Sequence, residues 1–376
     1  MSKVDKAMTT PSLLRSRLAA LVLVLFLAAG LASGARAQAV VAPPDNPDVR
    51  TQTQGSVSDT DIWSAIRKGE VGNVSIPDAK AAQLIQSEGE IWRAVRNGPL
   101  TVYGAYALLG TIVFLAIVFV IRGRVRIDHG WAGVTIERFT SLERFGHWLM
   151  AGSFIVLALT GLNLLFGRYL LLPVIGKAAF ASLTNWGKFA HHYVAFAFMA
   201  GVALVFVMWV AHNLPARGDI KWLLKGGGLF VPGSHPSARK FNAGQKIIFW
   251  LVVVATLSAS LSGIALMFPF QTDFMARTFG VLNVFGAGLP TDISPLAEQQ
   301  LEQVWHAIVG IGFTCLILAH IYIGTLGMEG AFDAMGSGQV DLNWAREHHD
   351  LWVEETQAKA GAAAQGDAGT QAQPAE

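Results

Sequence analysis

The sequence predicts an all-α membrane protein: a four-helix transmembrane bundle preceded by one further transmembrane helix and an exported segment. Three observations carry this. Of the 376 residues, 52% are hydrophobic and only 14% charged, against roughly a quarter charged in a soluble domain. Apolar runs of about twenty residues recur after residue 100, the length that crosses a bilayer as a helix. The basic residues between these runs fall mostly on one side.

Residues 1–37 read as a secretory signal, with Arg15 and Arg17 ahead of the apolar run Leu18–Ala29 and then Ala35-Arg36-Ala37. The exported segment 38–98 is rich in Pro, Gln, Thr and Ser to about Thr60. Two similar stretches come next, Asp61–Gly69 and Glu90–Gly98, and each predicts a short amphipathic helix closed by glycine. The extra span, within 99–122, covers Tyr103–Ile121 and stops at Arg122, Arg124 and Arg126. The other spans, about His147–Phe166, Phe189–His212, Ile247–Phe268 and Val304–Met328, form a domain over 138–330. A tail occupies 331–376, Ala-, Gln- and Gly-rich and expected to lack regular structure beyond about Trp352.

Charge orients the spans. Segments 122–146 and 213–246 hold eleven Lys or Arg, and segments 167–188 and 269–303 hold four. The positive-inside rule therefore predicts a multi-pass protein of the bacterial inner membrane, its N-terminus periplasmic after signal cleavage and its C-terminus cytoplasmic. A net charge of +2 is no argument for a nucleic-acid partner.

The histidines point to chemistry. The last span carries His306 and His320, fourteen residues apart, hence on nearly one face and roughly 21 Å apart along the axis. Ionisable residues inside a membrane helix are costly and mark function. Two imidazoles at two depths suggest two metal centres, and haem iron takes histidine as an axial ligand. Depth supplies the partners. His147 opens the second span at its cytoplasmic end and matches His320; His191 or His192, at the periplasmic end of the third span, matches His306. The matching gives two bis-histidine b haems, a closed coordination suited to electron transfer. The single cysteine, Cys315, excludes covalent haem and iron–sulfur ligation within the chain. His212 reads as interfacial, and His129, His235, His348 and His349 as solvated. Arg138 and Arg144 are candidate partners for haem propionates. Asn242, at the start of the fourth span, reads equally as a quinone ligand or a helix cap.

Residues Glu143–Trp148, His212–Pro215 and Lys240–Lys246, together with His306 and His320, resemble the gamma subunit of respiratory formate dehydrogenase, a membrane b-type cytochrome. The resemblance covers roughly 138–352; residues 1–135 take nothing from it. It implies that His191 and His306 hold the outer haem, that His147 and His320 hold the inner one, and that a quinone (ubiquinone or menaquinone) sits near Asn242, Gly244, Gln245 and His320. It further implies an iron–sulfur beta subunit and a molybdenum or tungsten alpha subunit as partners, with formate oxidised outside and quinone reduced inside. The cytochrome b of another respiratory complex, such as a hydrogenase or thiosulfate reductase, would share the bis-histidine bundle. A haem-free transporter would need paired acids or broken helices in its spans, and Asp and Glu are nearly absent there.

Overall fold

Apolar length and local capping determine the elements. The computed structural model describes residues 87–228, 231 and 233–371, and among these five helices are long and apolar enough to cross a membrane. The expected signal sequence (1–37) and the expected exported segment up to residue 86, with the stretch Asp61–Gly69, lie outside the described residues. Helix α1 (Ser87–Val95) does not close at Gly98. A π-turn, Arg96–Leu100, carries it into α2 (Thr101–Arg122). Pro99 sits in that turn, where a missing N–H costs least, and the Thr101 hydroxyl donates to the Arg96 carbonyl at 2.6 Å. The amphipathic lead and the first span are thus one continuous segment, Ile91–Arg122.

The remaining spans are α3 (Ser141–Leu170), α4 (Leu172–Trp209), α6 (Ala243–Met267) and α8 (Pro295–Tyr322), with the short helices α5 (Arg217–Leu224) and α7 (Phe274–Asn283) between them. Most start earlier than hydropathy alone suggests, because caps accommodate polar residues in the first turns. At the start of α3 the Thr140 hydroxyl accepts the Glu143 N–H, and the Glu143 carboxylate accepts the Thr140 N–H, a reciprocal box. Helix α4 is interrupted at Gly176, where φ is 78°, a conformation glycine adopts without steric cost.

The described residues fall into two compact units, 107–260 with 309–371, and 87–106 with 261–308. In the first, α3 and α4 approach backbone to backbone. A Cβ on Gly201 would lie 2.8 Å from the Met150 amide nitrogen, whereas one on Gly152 would meet nothing within 4 Å. Gly201→Ala is therefore expected to cost about 1–3 kcal/mol through overpacking and Gly152→Ala almost nothing. Thermal unfolding of the two variants in detergent checks this, and equal melting temperatures would contradict it. Phe198, Val202 and Phe313 form a buried cluster with Phe154 packed against it, joining α3, α4 and α8.

The same unit carries a folded cap at the basic ends of its helices. Strand β1 (Thr135–Glu137) pairs antiparallel with β2 (Gln339–Asp341), Ile136 opposite Val340. The turn α9 (Asp333–Gly336) precedes β2, and α10 (Leu342–Gln371) comes after it. The tail is therefore helical past Trp352, where composition suggests no regular structure; its repeated alanines favour helix as an isolated property. A core of Phe139, Trp209, Phe241, Val340, Trp344 and Trp352 underlies the cap. Arg138, 3% exposed, lies within it. Its guanidinium stands over the rings of Phe139, Trp344 and Trp352 at 5.2, 5.3 and 5.2 Å, a desolvated cation–π arrangement.

His349 corrects the expectation of a solvated residue. It breaks α10 at φ −151° and is 1% exposed. Burial and then the nearby Arg138 charge hold its pKa well below the ordinary value, so the ring is neutral. Its Nδ1 lies 2.7 Å from the Arg239 carbonyl, which can only accept, so Nδ1 bears the hydrogen and Nε2 accepts from Arg138 Nη2 at 2.9 Å. Burial draws Arg138 down to about 9, opposed by the Glu143 carboxylate, and it stays charged at neutral pH. Of the two candidate propionate partners, Arg138 is thus a core cation, and Arg144 donates from Nη1 to the Gly336 carbonyl at 2.8 Å. His129 and His235 pair with Glu347 and Asp128.

In the second unit the start of α8 carries two buried acids, so the near-absence of acids holds only for the middles of the spans. Glu298 accepts the N–H groups of Met275 and Ala276 at the start of α7, an anion against a helix N-terminus. Glu302, 1% exposed, accepts the Thr272 hydroxyl at 3.1 Å.

Candidate functional site

Helix packing brings His147 and His320 together. Gly146 seats α3 on α4: a Cβ there would lie 3.1–3.3 Å from Met208, Leu204 and Val205. That contact fixes the rotation of α3 and the face on which His147 emerges. His320 lies in the last turn of α8. The two imidazole centroids are 6.3 Å apart with the ring planes at 55°. Metal–nitrogen bonds of about 2.0–2.1 Å, with roughly 1.1 Å from nitrogen to ring centre, put two imidazoles on one metal on the order of 6 Å apart. The pair fits a bis-imidazole ligand set. Trp148 stands edge-on to His147 at 5.4 Å, and His147 Nδ1 is buried without a partner among the described residues.

His191 and His306 fall in different units, and each has its own seat. In the first unit His191 Nδ1 lies 2.8 Å from the Thr160 hydroxyl on α3. In the second, His306 Nδ1 lies 2.9 Å from the Ser262 hydroxyl on α6. A glycine comes directly after each hydroxyl residue and faces the same ring: a Cβ on Gly161 would be 3.4 Å from His191 Cε1, and one on Gly263 would be 3.2 Å from His306 Cε1. These four residues were missed by sequence reasoning. Their signal was visible as a repeat, Leu159-Thr160-Gly161 and Leu261-Ser262-Gly263. Among the described residues no group of three or more His, Cys, Asp or Glu gathers to hold a metal ion; axial ligation asks for only two side chains per iron.

The Asn242 stretch shows the capping alternative at work. Asn242 Oδ1 accepts the Gln245 N–H at 2.9 Å, and Gln245 Oε1 accepts the Asn242 N–H at 3.0 Å, a reciprocal box opening α6. A Cβ on Gly244 would meet the Trp222 indole at 3.1 Å, so glycine admits that ring. Lys246 donates to both Asp219 oxygens at 2.9 and 3.0 Å, tying α6 to α5.

The chain is similar to known membrane cytochromes. The chain is 28% identical over 222 residues to the formate dehydrogenase cytochrome b556(fdo) subunit of Escherichia coli K12, covering 59% of this chain and 93% of that protein. It is 26% identical over 223 residues to the nitrate-inducible formate dehydrogenase cytochrome b556(Fdn) subunit of the same strain, covering 58% and 91%. It is 23% identical over 227 residues to the formate dehydrogenase cytochrome b556 subunit of Haemophilus influenzae, covering 58% and 83%. The resemblance read from the motifs is borne out. The prokaryotic cytochrome b561 family profile matches residues 138–338, more than half of the chain, and the protein belongs to that family.

Proposed function

We propose that this chain is the membrane cytochrome b subunit of a formate dehydrogenase, carrying electrons from an iron–sulfur subunit on the periplasmic face to a quinone on the cytoplasmic face. The observation that carries the reading is the His147–His320 pair, two half-buried imidazoles at a separation one iron can bridge. In this assignment His147 and His320 hold the inner b haem, and His191 and His306 hold the outer one. Bound haem supplies one-electron chemistry; the protein supplies ligands, burial and spacing. Asn242 and Gln245 use their amide oxygens in the α6 cap, so their amide N–H groups are what they would offer a quinone carbonyl; in this reading Gly244 and His320 also line the quinone. The formate-oxidising molybdenum or tungsten subunit binds outside through the iron–sulfur subunit. The excess of Lys and Arg at 122–146 and 213–246 supports the inner-membrane orientation, and the N-terminal signal sequence supports export of segment 38–98 to the periplasm.

The test is spectral, on the complex purified from membranes. Formate is expected to reduce a b-type cytochrome fully, and added quinone to reoxidise it. Reduction by hydrogen, or reoxidation by thiosulfate, without any response to formate would move the chain to another respiratory complex. A difference spectrum with no b-type band would end the cytochrome reading.

A further inference from the structure

We infer that Thr160 and Ser262 are positioning residues for His191 and His306, each hydroxyl fixing the imidazole tautomer so that Nε2 is the nitrogen offered to metal. This rests on the bis-histidine assignment proposed above. The tautomer at His191 is settled by counting hydrogens. The Thr160 hydroxyl lies 2.7 Å from the Val156 carbonyl and 3.1 Å from that of Leu157. A hydroxyl has one hydrogen, and these carbonyls, which only accept, take it. Toward His191 the oxygen therefore presents a lone pair, and Nδ1, 2.8 Å away, must bring the N–H. A neutral imidazole with its hydrogen on Nδ1 has its lone pair on Nε2.

Ser262 repeats the hydroxyl–Nδ1 contact on another helix, 2.9 Å from His306 Nδ1. The glycines complete each seat. Cε1 is the ring carbon between the two nitrogens, and a methyl at Gly263 would press on it at 3.2 Å, displacing the ring from its hydroxyl. A threonine that bonds only to its own helix backbone is ordinary in membrane helices. A second hydroxyl–glycine pair seating a second candidate ligand is not explained that way. The contact also separates His191 from its neighbour His192, since Thr160 holds His191. His147 differs, its Nδ1 being buried without a partner among the described residues.

A hydrogen bond from Nδ1 raises the basicity of the ligating nitrogen and favours ferric over ferrous iron. Losing it should raise the midpoint potential of that haem. A tenfold loss of ferric preference corresponds to about 59 mV for one electron. The experiment uses the intact complex and four measured variants: His191→Ala, Thr160→Val, Thr160→Ser and Ser262→Ala. His191→Ala identifies the outer haem by its disappearance from the haem count and the ferric low-spin resonance spectrum. Thr160→Val and Ser262→Ala are expected to shift the potential and resonance of that same haem upward and away from wild type, with Thr160→Ser restoring both. Unchanged potentials and resonances in Thr160→Val would overturn the inference, as would a shift confined to the other haem or one that serine does not restore. Retention of both haems in His191→Ala would instead remove the ligand assignment, and the inference with it.

Discussion

His147→Ala is expected to leave one haem per chain, against the two that the proposed ligand assignment gives the wild type. The two rings of the pair sit 6.3 Å apart, so the proposed site would need both imidazoles, and among the described residues no third His, Cys, Asp or Glu gathers there to replace one. His320→Ala should remove the same haem. The double variant should be no worse than either single one, because residues that act as a unit are not additive. His306→Ala and His191→Ala should remove the other haem and spare this one. His192→Ala is the control and should keep both. The measurement is haem per chain by pyridine haemochrome, on protein shown to be inserted and monodisperse. Loss of both haems from any single variant that remains folded would break the assignment of ligands by depth.

The depth argument anticipated that His147 and His320 are neighbours, because a membrane makes placement one-dimensional. Hydropathy and charge assign each span and each polar residue a level, and His147 with His320 needed only that. The seats of His191 and His306 needed more. Thr160 lies 31 residues from His191, and Ser262 lies 44 from His306; such contacts depend on which faces of two helices meet, and apolar composition is almost uniform around a buried span. The cap at the basic ends was illegible for the same reason. Arg138 meets His349 across 211 positions, and nothing local marks either as buried. Composition suggested a loose tail, and nothing in it showed that Trp344 and Trp352 pack into a core. Asn242 was ambiguous because one amide group suits both a cap and a quinone; the Gln three residues on is the feature that marks the cap.

Glu143→Ala should cost about 3 kcal/mol, the largest single effect on stability expected in the first unit. Glu143 Oε1 takes Lys240 Nζ at 2.6 Å and the Trp209 indole N–H at 2.9 Å, while Oε2 takes the Thr140 N–H at 2.9 Å. The carboxylate and ammonium side chains are 11% and 19% exposed. Removing one partner of a buried pair strands the other and costs about 3–5 kcal/mol, and this residual exposure favours the lower part of that range. The α3 cap goes with it. Glu143→Gln keeps an acceptor for Trp209 but leaves Lys240 uncompensated, so an intermediate loss of about 1–2 kcal/mol is expected. Replacing both partners, Glu143→Leu with Lys240→Met, should cost less than Glu143→Ala alone, since Lys240 is then not left uncompensated and Arg138 keeps its aromatic rings. Thermal unfolding of the four proteins in one detergent measures this ordering. His147 lies one turn beyond Glu143 on α3, so the same series links stability to the site. A variant that melts early should also lose the His147–His320 haem before the other, because the α3 start is what holds His147 in place. If the double replacement proved worse than the single, the pair would be contributing more than the avoidance of a stranded charge, and its geometry would have to be counted among the determinants of that site.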